Sequence, residues 1–218
     1  MSRMRIAFAN PNHTVSMTGK IAAAARAAAS PGTHILALTN TAGPPSIQGE
    51  ADGRLAEPGL LALIAAHEEE ADAFAIACFD DTALEEARAR TAKPVVGIGE
   101  AAMREAARLG GSFSVVTTLR VSVPVIELNV VRYGLSDSCR RVRASDVAVL
   151  DLEQEGSEAR ERVAAEIARA LREDRPGAVV LGCAGMANLA DTFTRRFELP
   201  VIDGVVAAVR RLERDALA

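Results

Sequence analysis

Tryptophan is absent from this chain of 218 residues, and one Tyr and six Phe bring the aromatic content to only 3%. Nucleobase stacking on aromatic platforms is therefore a poor expectation. Lysine occurs only as Lys20 and Lys93, which leaves few candidates for Schiff-base chemistry. Cysteine is almost as scarce, and Cys78, Cys139 and Cys183 lie far apart. An odd count without a secretion signal argues against a disulfide framework, and no pair has zinc-knuckle spacing. No apolar run approaches the ~20 residues that a membrane span needs. The opening MSRMRIAFANPN carries a four-residue apolar run, too short for a signal peptide, and no small-residue cleavage site follows. A cytoplasmic location with reduced thiols is expected. Against 25 basic residues stand 29 acidic ones, a net charge of −4, so no basic surface draws the chain to nucleic acid or anionic lipid. His13, His34 and His67 show no metal-ligand spacing, and no G-x-G-x-x-G follows the first apolar run.

What is present is alternation. Short apolar runs at 5–9, 33–39, 73–77, 94–98, 112–116, 140–143, 178–181 and 200–202 read as strands. Helical patterns lie between and after them, at 15–29, 59–70, 82–90, 100–109, 122–131, 157–172, 189–197 and 205–212. Strands alternating with helices of this length imply βαβ units and parallel sheets. Thr82, with Glu85 three residues on, reads as a capping box. The Gly/Pro-rich stretch from Gly43 to Gly53 reads as one long loop, a candidate cover over a binding cleft. Gly110-Gly111 reads as a hinge.

The two halves resemble each other. Ala75-Ile76-Ala77-Cys78-Phe79-Asp80-Asp81 precedes a helix and then Lys93-Pro94-Val95-Val96; Val180-Leu181-Gly182-Cys183-Ala184-Gly185-Met186 precedes a helix and then Leu199-Pro200-Val201-Ile202. Cys and Pro are 16 residues apart in the first half and 17 in the second. Each half also has an earlier strand ending in small polar residues, Asn10 in one and Thr117-Thr118 in the other. The fold class expected is α/β, with two pseudo-symmetric Rossmann-like lobes, parallel sheets and a site in the cleft between them. The N-terminal lobe is expected over 1–110, with the C-terminal helix 204–218 available to cross back onto it, and the C-terminal lobe over 111–203.

Ligands of open parallel sheets bind beyond the carboxyl ends of the strands. Cys78 and Cys183 both sit at such ends, each ahead of a helix N-terminus, a position that lowers a thiol pKa. Two lobes facing across a cleft would present one thiol from each side. Such a pair suits stereochemical inversion at a carbon acid: one thiolate removes a proton and the other thiol donates one to the opposite face.

Several segments together, in order, resemble hydantoin racemases of the aspartate/glutamate racemase superfamily. They are Asn10-Pro11-Asn12, Gly43-Pro44-Pro45-Ser46-Ile47, Ala77-Cys78-Phe79-Asp80-Asp81-Thr82, Gly99-Glu100-Ala101-Ala102-Met103, Phe113-Ser114-Val115-Val116-Thr117-Thr118, Arg143-Ala144-Ser145-Asp146-Val147 and Leu181-Gly182-Cys183-Ala184-Gly185-Met186. The resemblance implies racemisation without a cofactor, with the family's two catalytic cysteines falling on Cys78 and Cys183, and a homo-oligomer. His13 departs from the family's usual residue after Asn-Pro-Asn. Allantoin racemases share both cysteine motifs and tend to carry Gly where this chain has Asp80, which points toward 5-substituted hydantoins as the substrate.

Asn10, Thr117 and Thr118 are candidates to bond the substrate's carbonyl and ring N–H groups, although capping and turn chemistry would also place such residues there. Asp80 is a candidate contact whose influence on Cys78 is open in sign. Phe79 and Ala184 offer backbone N–H groups, Gly182 permits close backbone approach, and Ile47 in the long loop is a candidate contact to the 5-substituent. Cys139, beside Arg140 and Arg141, reads as structural. The rival readings are an allantoin or acidic amino-acid racemase, a two-lobed small-molecule sensor, and thiol redox chemistry. The last lacks a C-x-x-C.

Overall fold

The computed structural model describes residues 4–153 and 158–216. Two four-stranded parallel sheets are built from consecutive halves of the chain. The first contains β1 (Arg5–Asn10), β2 (His34–Thr39), β3 (Ala73–Ile76) and β4 (Val95–Gly97), in the order β2-β1-β3-β4. The second contains β5 (Phe113–Thr117), β6 (Cys139–Ala144), β7 (Ala178–Gly182) and β8 (Val201–Ile202), in the order β6-β5-β7-β8. All ladders are parallel, and the two orders are the same when β5 to β8 are matched to β1 to β4. The repeat in the sequence is thus a repeat of topology. β3, β5 and β7 are buried at every residue, which is why Ala-Phe-Ala-Ile, Phe-Ser-Val-Val-Thr and Ala-Val-Val-Leu-Gly read as nearly unbroken apolar runs.

The helices are α1 (Val15–Ala28), α2 (Glu50–Ala66), α3 (Leu84–Arg90), α4 (Ile98–Gly110), α5 (Val123–Arg132), α6 (Glu158–Glu173), α7 (Ala190–Phe197) and α8 (Gly204–Asp215), with 3₁₀ turns at Arg120–Ser122, Val149–Glu153 and Ala184–Met186. One hydrophobic cluster runs through both halves: Ile6, Phe8 and Ile98 belong to it together with Phe113, Val115, Val180 and Val209. α8 follows β8 but packs on α4 and α1, where Glu213 accepts bonds from the Ser30 amide and hydroxyl and from the Thr33 hydroxyl at 2.7 to 2.9 Å. No helix among the described residues is long and apolar enough to cross a membrane.

Local readings of the sequence fail at two places. The loop expected from Gly43 to Gly53 ends at Gly49, because α2 begins at Glu50, nine residues ahead of the expected start. Glu50 and Asp52 favour a helix start through the dipole, and the Asp52 carboxylate accepts the Gln48 amide at 3.0 Å; Gly53 and Pro58 are carried inside the helix. The capping box at Thr82 is not formed. Ala83, in the left-handed region at φ +53, precedes α3 and no side chain caps it. At Gly110-Gly111, read as a hinge, Gly111 closes α4 at φ +67, and a Cβ at Gly110 would meet the Gly177 backbone at 2.5 Å. The charged helix expected from Ser157 starts at Glu158 in the structure; Ser157 itself lies outside the described residues.

The N-terminus of α8 is held by Asp203, whose carboxylate accepts the Val206 amide at 2.7 Å. Burial pushes that carboxyl up to about 7 against this bond. Asp203→Ala should lower stability by about 1–2 kcal/mol through loss of the cap. Asp203→Asn keeps an acceptor without a buried charge and should cost less. Urea denaturation of the three proteins checks the order.

Candidate active site

The inner strands of both sheets end at one place. β1 ends at Asn10 and is followed by Pro11-Asn12; β3 is followed by Ala77-Cys78; β5 ends at Thr117 and is followed by Thr118; β7 ends at Gly182 and is followed by Cys183. A single cavity is lined there by Asn12, Met17, Ile47, Ala77, Cys78, Phe79, Asp80, Thr118, Ser122, Val149, Gly182, Cys183 and Ala184. Cys78 and Cys183 face it from pseudo-equivalent turns of the two sheets. Among the described residues, no Lys, Arg or His lines it, and no group of three His, Cys, Asp or Glu is arranged to hold a metal ion.

The turn carrying Cys78 is tightly specified. The Asp81 amide donates to the Cys78 carbonyl at 3.1 Å, and the Leu84 amide to the Asp81 carbonyl at 3.1 Å. Asp81 sits at φ +50, a strained region for a non-glycine residue that Asp tolerates better than most. Its carboxylate accepts the Gly99 and Glu100 amides at the start of α4, at 2.9 and 2.7 Å, and the Tyr133 hydroxyl at 2.6 Å. The Asp80 carbonyl accepts Asn129 Nδ2 at 2.9 Å, and its carboxylate accepts the Ser122 hydroxyl at 3.4 Å. The Gly49 amide donates to Asp80 as well. Ser122, Asn129 and Tyr133 all follow β5, so the turn after β3 is clamped by the other half of the chain.

The turn carrying Cys183 is built differently. The Thr117 hydroxyl donates to the Gly182 carbonyl at 2.8 Å, and a Cβ at Gly182 would lie 2.8 Å from Thr117 Cα. Glycine is thus required where β7 passes the end of β5. The Met186 amide closes the turn on the Cys183 carbonyl at 3.1 Å, and this turn packs on α1 of the first half.

Of the residues singled out in the sequence, Ile47, Cys78, Phe79, Asp80, Thr118, Gly182, Cys183 and Ala184 meet at the cavity. Asn10 and Thr117 do not line it. Asn10 donates to Asn12 Oδ1 at 3.1 Å and to the Thr18 hydroxyl at 2.9 Å and accepts the Asn12 amide at 3.2 Å, so it orients Asn12 from behind. The Thr117 hydroxyl is spent on Gly182, and its carbonyl accepts the amide and hydroxyl of Ser145. Asn12, Met17, Ser122 and Val149 line the cavity without having been singled out. Asn12 was legible as the second polar residue of Asn10-Pro11-Asn12; Val149 belongs to a 3₁₀ turn that no periodicity announces. His13 turns away, donating from Nδ1 to the Gly43 carbonyl at 2.9 Å. With the Thr14 hydroxyl on the Pro45 carbonyl at 2.6 Å, it ties the 43–49 loop to the segment after β1.

The helix-dipole expectation for Cys78 is overturned. No α-helix begins at the thiol, since α3 starts only at Leu84. Burial, reinforced by the Asp80 carboxylate, pushes the Cys78 thiol well above its usual range, against a backbone bond from Asp80. Burial also lifts the carboxyls of Asp80 and Asp81 to about 7. Behind the turn, Glu100 is the opposite case: Arg104, Arg88 and Arg211 hold its carboxyl at about 2 in spite of burial. Cys139, in β6, is pushed by burial up to about 11 and lies outside the cavity.

The family model described as Asp/Glu/Hydantoin racemase matches residues 6–212. A hydantoin racemase of Rhizobium meliloti is 44% identical over 96% of this chain and 88% of its own length. One from Pseudomonas sp. (strain NS671) is 42% identical over 96% of this chain and 85% of its own. Among solved structures, an allantoin racemase from Klebsiella pneumoniae superposes with a TM-score of 0.94 at 46% identity, covering 97% of this chain and 86% of that one.

Asp81→Ala would strand three buried donors, each an unmet desolvation cost of about 1–3 kcal/mol. The substitution should lower unfolding stability by about 3–5 kcal/mol, whereas Tyr133→Phe, which leaves the α4 amides bonded, should cost about 1 kcal/mol. Equilibrium denaturation by two spectroscopic probes checks both.

Proposed function

The chain belongs to the Asp/Glu/Hydantoin racemase family, and on that premise we propose that it racemises 5-monosubstituted hydantoins by proton transfer at C5, with Cys78 and Cys183 as the two bases. The observation that carries this reading is the pair of thiols facing one cavity from pseudo-equivalent strand ends of two sheets. One cysteine, as thiolate, takes the C5 proton. The C–H electron pair passes into the adjacent ring carbonyl as an enolate. The other cysteine, as thiol, delivers its proton to the opposite face of C5, and the carbonyl re-forms. The two thiols have then exchanged protonation states, which is the arrangement required for the reverse direction.

The surroundings suit such a step. A buried thiolate of raised pKa is a strong base once formed, and an apolar wall strengthens every bond to the enolate oxygen. Thr118, Phe79 and Ala184 line the cavity, and this reading uses the Thr118 hydroxyl and the other two residues' amides as donors for that oxygen and for the ring.

The absence of cationic side chains from the lining discriminates among family substrates. A free amino acid would bring a carboxylate into a cavity that already holds Asp80 and two thiols, with no Arg, Lys or His among the described residues there to pair it. A hydantoin ring enters uncharged. The likeness to an allantoin racemase favours a second reading, because allantoin is itself a hydantoin with a ureido group at C5. Met17, Ile47, Phe79 and Val149 give the cavity apolar faces, which fit a hydrocarbon substituent better than a ureido group.

Polarimetry with one enantiomer of a 5-alkyl hydantoin tests the proposal. The expected outcome is decay to zero rotation with EDTA present, and loss of at least ~10³-fold in rate in both Cys78→Ala and Cys183→Ala, each of which removes an acid–base group. In D₂O each variant should retain slow C5–H exchange of a different enantiomer. Unchanged rotation with the alkyl compound and decay with allantoin would transfer the assignment to the ureido substrate. Full activity in either variant would sink the two-thiol mechanism.

A further inference from the structure

Asn10 and Asn12 form a pair whose amide directions are fixed by main-chain donors. The Asn12 amide donates to Asn10 Oδ1 at 3.2 Å, and the Thr14 amide to Asn12 Oδ1 at 2.9 Å. A main-chain N–H only donates, so each of these contacts identifies a side-chain oxygen. Asn10 Nδ2 is thereby turned to Asn12 Oδ1 at 3.1 Å and to the Thr18 hydroxyl oxygen at 2.9 Å. With its own oxygen held by two donors, Asn12 presents Nδ2 on the other side, where it meets Met17 Sδ at 3.2 Å. Asn12 and Met17 both line the cavity that Cys78 and Cys183 face.

The bonding of the pair is unequal. Asn10 is fully buried and Asn12 is 3% exposed, so neither amide turns to bulk water. The oxygen of Asn12 is bonded by two good donors. Its Nδ2 carries two N–H groups, and among the described residues it meets one acceptor, the Met17 sulfur. A thioether is a weak acceptor, whereas buried polar groups as a rule find full partners. An amide donor held against a sulfur at the wall of a cavity is matched to an oxygen that arrives with a ligand.

We propose that Asn12 Nδ2 donates to the carbonyl oxygen beside C5 of the bound ring, the oxygen that gains charge as the proton leaves, and that Asn10 is the positioning residue that aims it. The inference rests on the proton-transfer reading above and deepens it. The ring is common to 5-alkyl hydantoins and allantoin, so the assignment holds for either. A donor already pointed at the cavity needs no reorientation as charge develops, and the bond given up to sulfur is a weak one. Asn10 supplies the direction. An oxygen in place of its Nδ2 would face Asn12 Oδ1, and the Asn12 amide would turn over to bond it, leaving an acceptor toward Met17.

Side-chain amide resonances of nitrogen-15-labelled protein read this contact without turnover. The Asn12 Nδ2 signals are assigned by their proximity to the Met17 methyl group and by their loss in Asn12→Ala. The probe is unsubstituted hydantoin, which has the ring and a C5–H but no stereocentre. At saturation, an Asn12 Nδ2 proton should move downfield, while the Asn10 Nδ2 protons, bonded inside the fold, should stay in place. In Asn10→Asp the hydantoin-dependent movement should disappear. Exchange of the hydantoin C5 protons in D₂O, followed by proton NMR, reads the chemical step. Asn12→Ala should lose about 10²-fold in kcat, the usual cost of removing one oxyanion donor, with a smaller change in KM. Asn10→Asp should lose kcat in the same way although Asn10 does not line the cavity; a purely structural role would lower stability without that split. Hydantoin that binds, as shown by shifts of the Phe79 and Ala184 amides, but leaves the Asn12 Nδ2 signals unmoved would overturn this inference and leave the two-thiol reading standing. A folded Asn12→Ala protein with unchanged kcat would overturn it too. Failure of the unmodified protein to bind hydantoin or to exchange its C5 protons would overturn the two-thiol reading and this inference with it.

Discussion

A single buried carboxylate joins the fold to the site. Asp81 takes two amides at the start of α4 and the Tyr133 hydroxyl, so that the turn bearing Cys78 is fixed at once to the next helix of its own half and to a helix of the other. Burying a carboxylate costs several kcal/mol unless donors surround it, and here three donors from two elements converge. The backbone pays in strain: both Asp81 and Ala83 take left-handed conformations, a cost of about 1–3 kcal/mol each that persists only where the surroundings over-determine it. The position of the Cys78 thiol, the register of α4 against the first sheet and the approach of α5 all follow from that junction. Around it, Glu100 at the start of α4 pairs with Arg88, Arg104 and Arg211.

The halves are clamped crosswise. Residues after β5 hold the Cys78 turn, and α1, after β1, packs on the Cys183 turn. α8 crosses back to α1 and α4. A cavity between two independently anchored lobes would vary in width as the lobes rocked. One whose two walls are each fastened to the opposite half, over a core continuous from Phe8 to Phe113, resists such rocking. The proposed two-sided proton transfer would demand such constancy, because a misplacement of about 1 Å can cost a factor of ~10² in rate.

Much of this arrangement was legible in the sequence, for a physical reason. Both sheets are parallel and covered, so their inner strands are unbroken apolar runs, and strand ends are marked by the first polar or sulfur-bearing residue. The order of elements and the convergence of Cys78, Cys183, Asp80 and Thr118 could be read from that alone. What escaped depends on contacts distant in the chain. Asn10 and Thr117 have the residue types of ligand contacts, and only the partners Thr18, Asn12 and Gly182 reveal that they are spent inside the fold. The early start of α2 was hidden by Gly53 and Pro58, which read as punctuation but are tolerated once Asp52 and the first turn are anchored. The direction of the Cys78 shift was misjudged because helix proximity was counted along the chain. In space, α3 begins beyond a turn that burial and Asp80 dominate.

That misjudgement has a chemical consequence. A thiol acidified by a helix dipole or a cation would be ionised at neutral pH, but its thiolate would be a weaker base, since basicity falls with pKa. On the proposed reading the substrate is a neutral ring whose C5–H is a weak acid, and the barrier to its removal drops as the base strengthens. A cavity that shows no cation among the described residues, in which burial and Asp80 push the Cys78 thiol up, would on the proposed mechanism give up ready thiolate in exchange for the strength of the base. For the proposed reaction, which would need one group of each kind in every turnover and in either direction, a site holding one proton too few would be as inactive as one holding one too many.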